Sequence, residues 1–165
     1  MPATTKHKRS STKKFKQKVT IGWREWVAFP ELGIDSIKAK IDTGARTSAM
    51  HAWHIQPYKH DEKDWVEFEV HPVQRNNKER LVCRAPVHAC RKVRSSSGHH
   101  EMRYVIKASV EMGKRSHVIE VTLTNRDQMG FRLLLGRTAL RGNYIIDPGR
   151  SYLTGKHYKQ ARSAD

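Results

Sequence analysis

Several segments of this chain set apolar residues at every second position, and no stretch carries the stripe of a long amphipathic helix. A period of two puts alternate side chains on opposite faces of an extended strand, which commits the chain to sheet. The clearest run is Trp65-Val66-Glu67-Phe68-Glu69-Val70. Residues 34–41 follow a Gly33 turn and set Ile37, Ala39 and Ile41 against Lys38 and Lys40. Residues 19–29, rich in β-branched and aromatic side chains, read as a strand running to Pro30, and 81–87, 103–110 and 117–123 as three more. The last two are joined through Glu111-Met112-Gly113-Lys114-Arg115, a turn of hairpin length. A short apolar run over 131–135 closes at Gly136, a helical turn or two follows over 137–141, and 143–147 gives a last strand before Pro148-Gly149. Segments 57–64 and 94–101 are polar and read as loops, either of them suited to be a mobile flap. Short strands with turn signals between them predict a mainly β fold, a closed barrel or sandwich with one short helix near the C-terminus.

At 165 residues the chain fits one domain. Residues 1–18 hold seven basic side chains and no acidic one, with too little apolar surface to offset the cost of ordering the backbone. They read as a disordered basic tail, leaving a folded domain over 19–155 and a flexible tail over 156–165. The chain has 32 basic and 16 acidic residues; without the tail, 25 basic residues still face those 16. Such an excess attracts polyanions: nucleic acid, the ribosome or an acidic polypeptide. Cys83 and Cys90 are too few for a disulfide scaffold. The N-terminus lacks the apolar run of a signal peptide and no stretch matches a spanning helix, so a cytoplasmic protein with no membrane partner is expected.

Chemistry points first to Lys40-Ile41-Asp42-Thr43-Gly44-Ala45-Arg46-Thr47-Ser48, where an apolar-faced strand ends in Asp-Thr-Gly. Glycine permits a tight turn and close approach of a second backbone, and exposed amides of such a turn can fix a carboxylate. A turn capped by aspartate is also common without any catalytic role. Far downstream lies Leu133-Leu134-Leu135-Gly136-Arg137. The two segments in this order resemble retropepsin-like peptidases, in which the catalytic loop packs beside the later strand. With Ile21-Gly22-Trp23-Arg24-Glu25-Trp26-Val27, Thr122-Leu123-Thr124-Asn125-Arg126 and Thr138-Ala139-Leu140, the resemblance narrows to a bacterial group once labelled ATP-dependent zinc proteases, which includes the RimB proteins. It covers roughly 19–155.

The resemblance implies a retropepsin-like closed β-barrel and an aspartic peptidase associated with RimK-type glutamate ligases, which add glutamates to ribosomal protein S6; the peptidase would remove or trim them. Asp42, Thr43 and Gly44 are then the catalytic loop. No cofactor is implied. The residues give the older label no support: there is no Gly-x-x-x-x-Gly-Lys-Ser/Thr phosphate cradle and no His-Glu-x-x-His, His51 and His54 have the wrong spacing, His99-His100-Glu101 lacks a nearby third ligand, and Cys83 and Cys90 form no Cys-x-x-Cys.

Aspartic peptidases use two carboxyls sharing one proton. The chain has a single Asp-Thr-Gly; Asp35, Asp127 and Asp147 sit in turn-like contexts. A homodimer donating Asp42 twice across a two-fold axis is the expected resolution. Ala45, Arg46 and Thr47 after the loop, Gly136 and Arg137 of the second motif, and His100 and Arg103 from a closing loop are the expected substrate contacts. Arginine offers a bidentate fork to a carboxylate, suiting an acidic peptide or a glutamylated protein, although Arg46 and Arg137 could equally brace the active-site loops. The basic tail could tether the protein to ribosomal RNA or simply keep it soluble. Two other readings remain: a non-enzymatic ribosome- or RNA-binding β-barrel, and a zinc-dependent hydrolase.

Overall fold

The computed structural model describes residues 17–73, 78–94, 97–126 and 130–155. Of the expected tails, all but Gln17 and Lys18 lie outside these ranges. Twelve strands are present among the described residues: β1 (Val19–Gly22), β2 (Arg24–Phe29), β3 (Ile34–Ile41), β4 (Ser48–His51), β5 (Trp53–His60), β6 (Lys63–Val70), β7 (Leu81–Pro86), β8 (Ala89–Arg94), β9 (His100–Met112), β10 (Arg115–Thr124), β11 (Leu133–Leu135) and β12 (Tyr144–Asp147). A 3-10 turn over Pro30–Leu32 links β2 to β3, and one short helix, α1 (Arg137–Leu140), follows β11.

Six strands close on themselves in the order β10-β4-β11-β3-β2-β9, the ring being completed by the antiparallel β9–β10 hairpin. Its interior is apolar for the reason the alternation gives. Ile37, Ala39 and Ile41 of β3, Ile106, Ala108 and Val110 of β9, and Val121 and Leu123 of β10 all point inward and are buried. Burial of each large aliphatic chain contributes about 1.5–3 kcal/mol, so the period-two pattern also fixes the register. The mainly β closed barrel with a single helix near the C-terminus is the expected architecture. No helix among the described residues is long and apolar enough to cross a membrane.

Several expected boundaries change. The strand expected over 19–29 breaks at Trp23, where β1 leaves β2 to pair in parallel with β12. A Cβ on Gly22 would lie 2.2 Å from the Arg150 carbonyl oxygen, so only glycine admits the returning C-terminal segment. Residues 57–64 are not a loop. They form the outer part of the β5–β6 hairpin, whose tip residues Asp61 and Glu62 both take positive φ (48° and 63°). Their polarity reflects an exposed ribbon: β5 and β6 belong with β7 to a separate three-stranded sheet that buries Val66, Phe68, Val70, Cys83 and Ala85. The 94–101 segment is likewise partly strand, since Arg94 ends β8, His100 opens β9, and the two pair in register.

Candidate active site

The backbone sets the catalytic loop before any side chain does. The parallel pairing of β3 with β11 runs to Leu135 opposite Ile41, and the Asp42 amide then donates to the Leu135 carbonyl at 2.9 Å. Here the chain turns: the Gly44 amide donates to Asp42 Oδ1 at 3.0 Å and the Ala45 amide to the Asp42 carbonyl at 3.3 Å. The aspartate is thereby oriented by its own turn, a local bond that competes with continued strand. Asp42 stays half-buried while Thr43 and Gly44 are exposed.

The second motif is stitched to the first. Arg137 and Thr138 amides donate to the Ala45 and Arg46 carbonyls at 2.8 and 3.0 Å. The Gly136 amide donates to Ser48 Oγ at 3.1 Å, and Thr122 Oγ1 donates to the Ser48 carbonyl at 3.1 Å. Ser48 is fully buried, so both bonds replace contacts with water that it has lost. A Cβ on Gly136 would sit 2.6 Å from the Thr47 carbonyl oxygen, which explains the glycine. Ser48 is a positioning residue that the sequence displayed inside the motif without revealing its task.

Arg137 Nη1 donates to the Thr43 carbonyl at 3.0 Å. This is the brace weighed for this arginine, holding the loop tip beside Asp42. Arg137→Ala is accordingly expected to lower kcat about tenfold and to leave KM within about twofold, because it shifts a catalytic group rather than removing a ligand contact. A rise in KM at constant kcat would identify a substrate contact instead.

Beside the loop lies a cleft of about 560 Å³. Arg46, Thr47 and Thr138 form one wall, and the run from Arg91 to Arg94 on β8 the other, with Glu120 and Thr122 at β10. Arg91 donates to Glu120 at 2.8 Å and His88 lies 3.1 Å from the same carboxylate. The Arg91 guanidinium, with smaller help from His88, holds the Glu120 carboxyl below its usual range. His100 and Arg103 stand on the same β8–β9 hairpin but do not line the cleft. His100 is exposed at its end; Arg103 is 7% exposed and donates to Glu101 at 3.2 Å.

The other candidates have local explanations. His51 and His71 stack on Trp53, each with ring centroids 3.8 Å away, and a bond from His71 holds the Glu69 carboxyl below its ordinary value. Burial pushes the Cys83 thiol up to about 12, and its Sγ donates to the Leu32 carbonyl. Among the described residues no three His, Cys, Asp or Glu side chains group as metal ligands. Nor do the tryptophans of β2 and its start offer bare stacking faces. Arg24 lies 4.7 Å over Trp23, while Trp26 stacks on Tyr152 and receives Lys38 at 5.3 Å.

Comparison with known proteins places the chain in a family. The chain is 46% identical over 139 residues to a probable alpha-L-glutamate ligase of Shewanella pealeana, a match covering 84% of this chain and 30% of that protein. A probable alpha-L-glutamate ligase of Desulfotalea psychrophila is 45% identical over 144 residues, covering 87% and 31%. The chain thus spans about a third of the length of these relatives. The crystal structure of Lpg0085 from Legionella pneumophila, a protein of unknown function, shares the fold with a TM-score of 0.70 at 24% identity, over 84% of this chain and 99% of that one. The family model described as "Retropepsin-like aspartic endopeptidase RimB" matches residues 20–157, and the chain belongs to this RimB-like family.

Proposed function

We propose that the protein is an aspartic peptidase that hydrolyses peptide bonds in acidic polypeptides, trimming glutamate tails such as those on ribosomal protein S6, and that it works as a homodimer with Asp42 from each copy. The observation that carries this reading is the Asp42 loop, pinned to Leu135, Gly136 and Arg137 and opening beside a cation-lined cleft. The exposed Thr43–Gly44 tip leaves the loop accessible to a second copy.

In the dimer one Asp42 carboxylate takes a proton from water as the water oxygen bonds to the scissile carbonyl carbon. The other, protonated, donates to the carbonyl oxygen. Collapse of the tetrahedral carbon then breaks the C–N bond and sends a proton to the leaving amine. Two carboxyls in contact cannot both ionise cheaply, so the pair holds the single proton this scheme needs.

The names of the relatives support the substrate. A ligase that adds glutamate and a peptidase that removes it act on the same tail, and this chain corresponds to one portion of longer proteins named for the ligase. Ribosome association through the basic residues 1–18 would bring the enzyme to such a tail. The test uses the full chain and a peptide carrying an oligoglutamate tail, with products read by mass spectrometry. Cleavage within the tail, equal with and without a chelator, is expected. Activity abolished by chelation and restored by zinc would transfer the chemistry to a metal; an intact peptide under both conditions would remove the hydrolytic reading.

A further inference from the structure

We propose that a cavity on the outer face of the barrel, at the opposite end of β3 from Asp42, binds a primary alkylammonium, held over Ala28 by Asp35, Ser36 and Glu111. The site is separate from the peptidase chemistry and does not rest on it.

The backbone brings these residues together through a bulge. Val27 pairs with Ile37 and Phe29 with Ile34, so one residue of β2, Ala28, faces two of β3, Asp35 and Ser36. A bulge of this kind re-aims a side chain where it interrupts the ladder. On the other side of β2, Ala28 pairs with Glu111 of β9. Both alternate with inward neighbours, Val27 and Val110, and so share the outer face. Neighbouring strands lie about 4.8 Å apart, which sets Asp35 and Glu111 roughly 10 Å apart at the backbone with only a methyl group between them. Trp26, Thr154 and Lys114 of the β9–β10 turn help to enclose a cavity of about 340 Å³ above that floor. This is the small end of the range that small-molecule sites occupy.

The chemistry of the lining selects the ligand. In a chain of 32 basic and 16 acidic residues, two carboxylates and one ammonium here reverse the prevailing sign. Among the described residues Asp35, Glu111 and Lys114 form no ion pair, so the charge is not cancelled internally. The Ser36 hydroxyl oxygen is buried and has no hydrogen-bond partner among the described residues, a cost that a ligand would remove. An ammonium carries three N–H donors, and the two carboxylates and this hydroxyl supply three acceptors around Ala28. Tyr152 and Lys38 already occupy the ring of Trp26, which therefore offers a wall for a hydrocarbon stem rather than a stacking face. The far wall bears on the fold: Thr154 donates its amide and its hydroxyl to the buried Glu25, both at 2.9 Å. A ligand seated against Thr154 holds the C-terminal segment in place, and anything that binds only the folded chain stabilises it.

The test is titration calorimetry on the full chain, in phosphate buffer at low ionic strength, with putrescine, N-acetyl-lysine methylamide and uncharged butanol. Putrescine is expected to bind with a dissociation constant on the order of 1 mM, and at ten times that concentration to raise the melting temperature by about 4 °C. Butanol should do neither. Asp35→Asn/Glu111→Gln is expected to weaken amine binding at least about tenfold, whereas Asp61→Asn/Glu62→Gln, the same charge change at the β5–β6 tip, should leave it unaltered. Ala28→Leu, which fills the floor without touching a charge, should abolish binding in a chain whose own melting transition reports that it folds. Ser36→Ala should weaken binding about threefold without lowering the melting temperature of the free protein, because the hydroxyl it removes is unbonded there. Tighter binding of putrescine assigns the site to a free amine and tighter binding of the lysine derivative to a partner's side chain; either sustains the alkylammonium site. No heat and no thermal shift from either amine at about 20 mM, butanol binding as well as putrescine, or an unchanged dissociation constant in Asp35→Asn/Glu111→Gln overturns it.

Discussion

Asp42→Asn is expected to lower kcat on an oligoglutamate-tailed peptide by about 10³-fold or more while leaving the fold and the melting temperature nearly unchanged. Asparagine keeps the oxygen that receives the Gly44 amide at 3.0 Å, so the turn survives. What it loses is the ability to take a proton from water. The same variant tests whether the site is shared. If each dimer needs two aspartates, subunits of wild type and variant mixed equally and allowed to exchange should show about a quarter of the wild-type activity, because only wild-type pairs are complete. Independent sites with one aspartate each would give about half. A value near one half in a sample shown to exchange would end the shared-pair scheme while leaving Asp42 essential.

The sequence disclosed those parts of the molecule in which one face is wet and the other dry. β3, β6, β9 and β10 follow their alternation because a slip by one residue would expose Ile37, Phe68, Ile106 or Val121. β4 was invisible since Ser48, Ala49, Met50 and His51 are all buried and show no alternation. β5 was hidden for the opposite reason, being largely exposed. In β8 the half-buried positions hold Ala89, Arg91 and Val93, and an arginine paired with Glu120 occupies the place an apolar residue would mark. The site divides in the same way. Asp42-Thr43-Gly44 and Gly136-Arg137 are local words and were legible. The wall opposite Arg46 comes from β8, some forty-five positions later in the chain, and nothing local links the two.

Glu25 is the second residue whose loss should be felt most, and for stability rather than chemistry. It lies on β2 in phase with Val27 and Phe29, the inward face, and is fully buried. A charge at a core position survives only if well bonded. Its Oε2 accepts from the Gly22 amide at 2.9 Å and the Leu153 amide at 3.0 Å, and its Oε1 from the Thr154 amide and hydroxyl, both at 2.9 Å. The C-terminal segment is thereby tied across β2, where the Trp23 and Tyr152 amides also exchange bonds with the Arg150 and Arg24 carbonyls. Glu25→Ala leaves those donors without an acceptor and should cost about 4 kcal/mol, lowering the melting temperature by about 10 °C. Glu25→Gln, of the same shape but turning an N–H toward other N–H groups, should cost roughly half as much. Hydrogen exchange separates this clamp from a general loosening. The Leu153 and Thr154 amides should lose protection first, followed by Ile41, whose amide donates to the Trp23 carbonyl at 2.8 Å and which precedes Asp42. Activity should therefore fall with the clamp even below the melting transition. If both variants keep their melting temperature within about 2 °C, the buried carboxylate contributes no net stability and the segment is held by the stacking of Tyr152 on Trp26 instead.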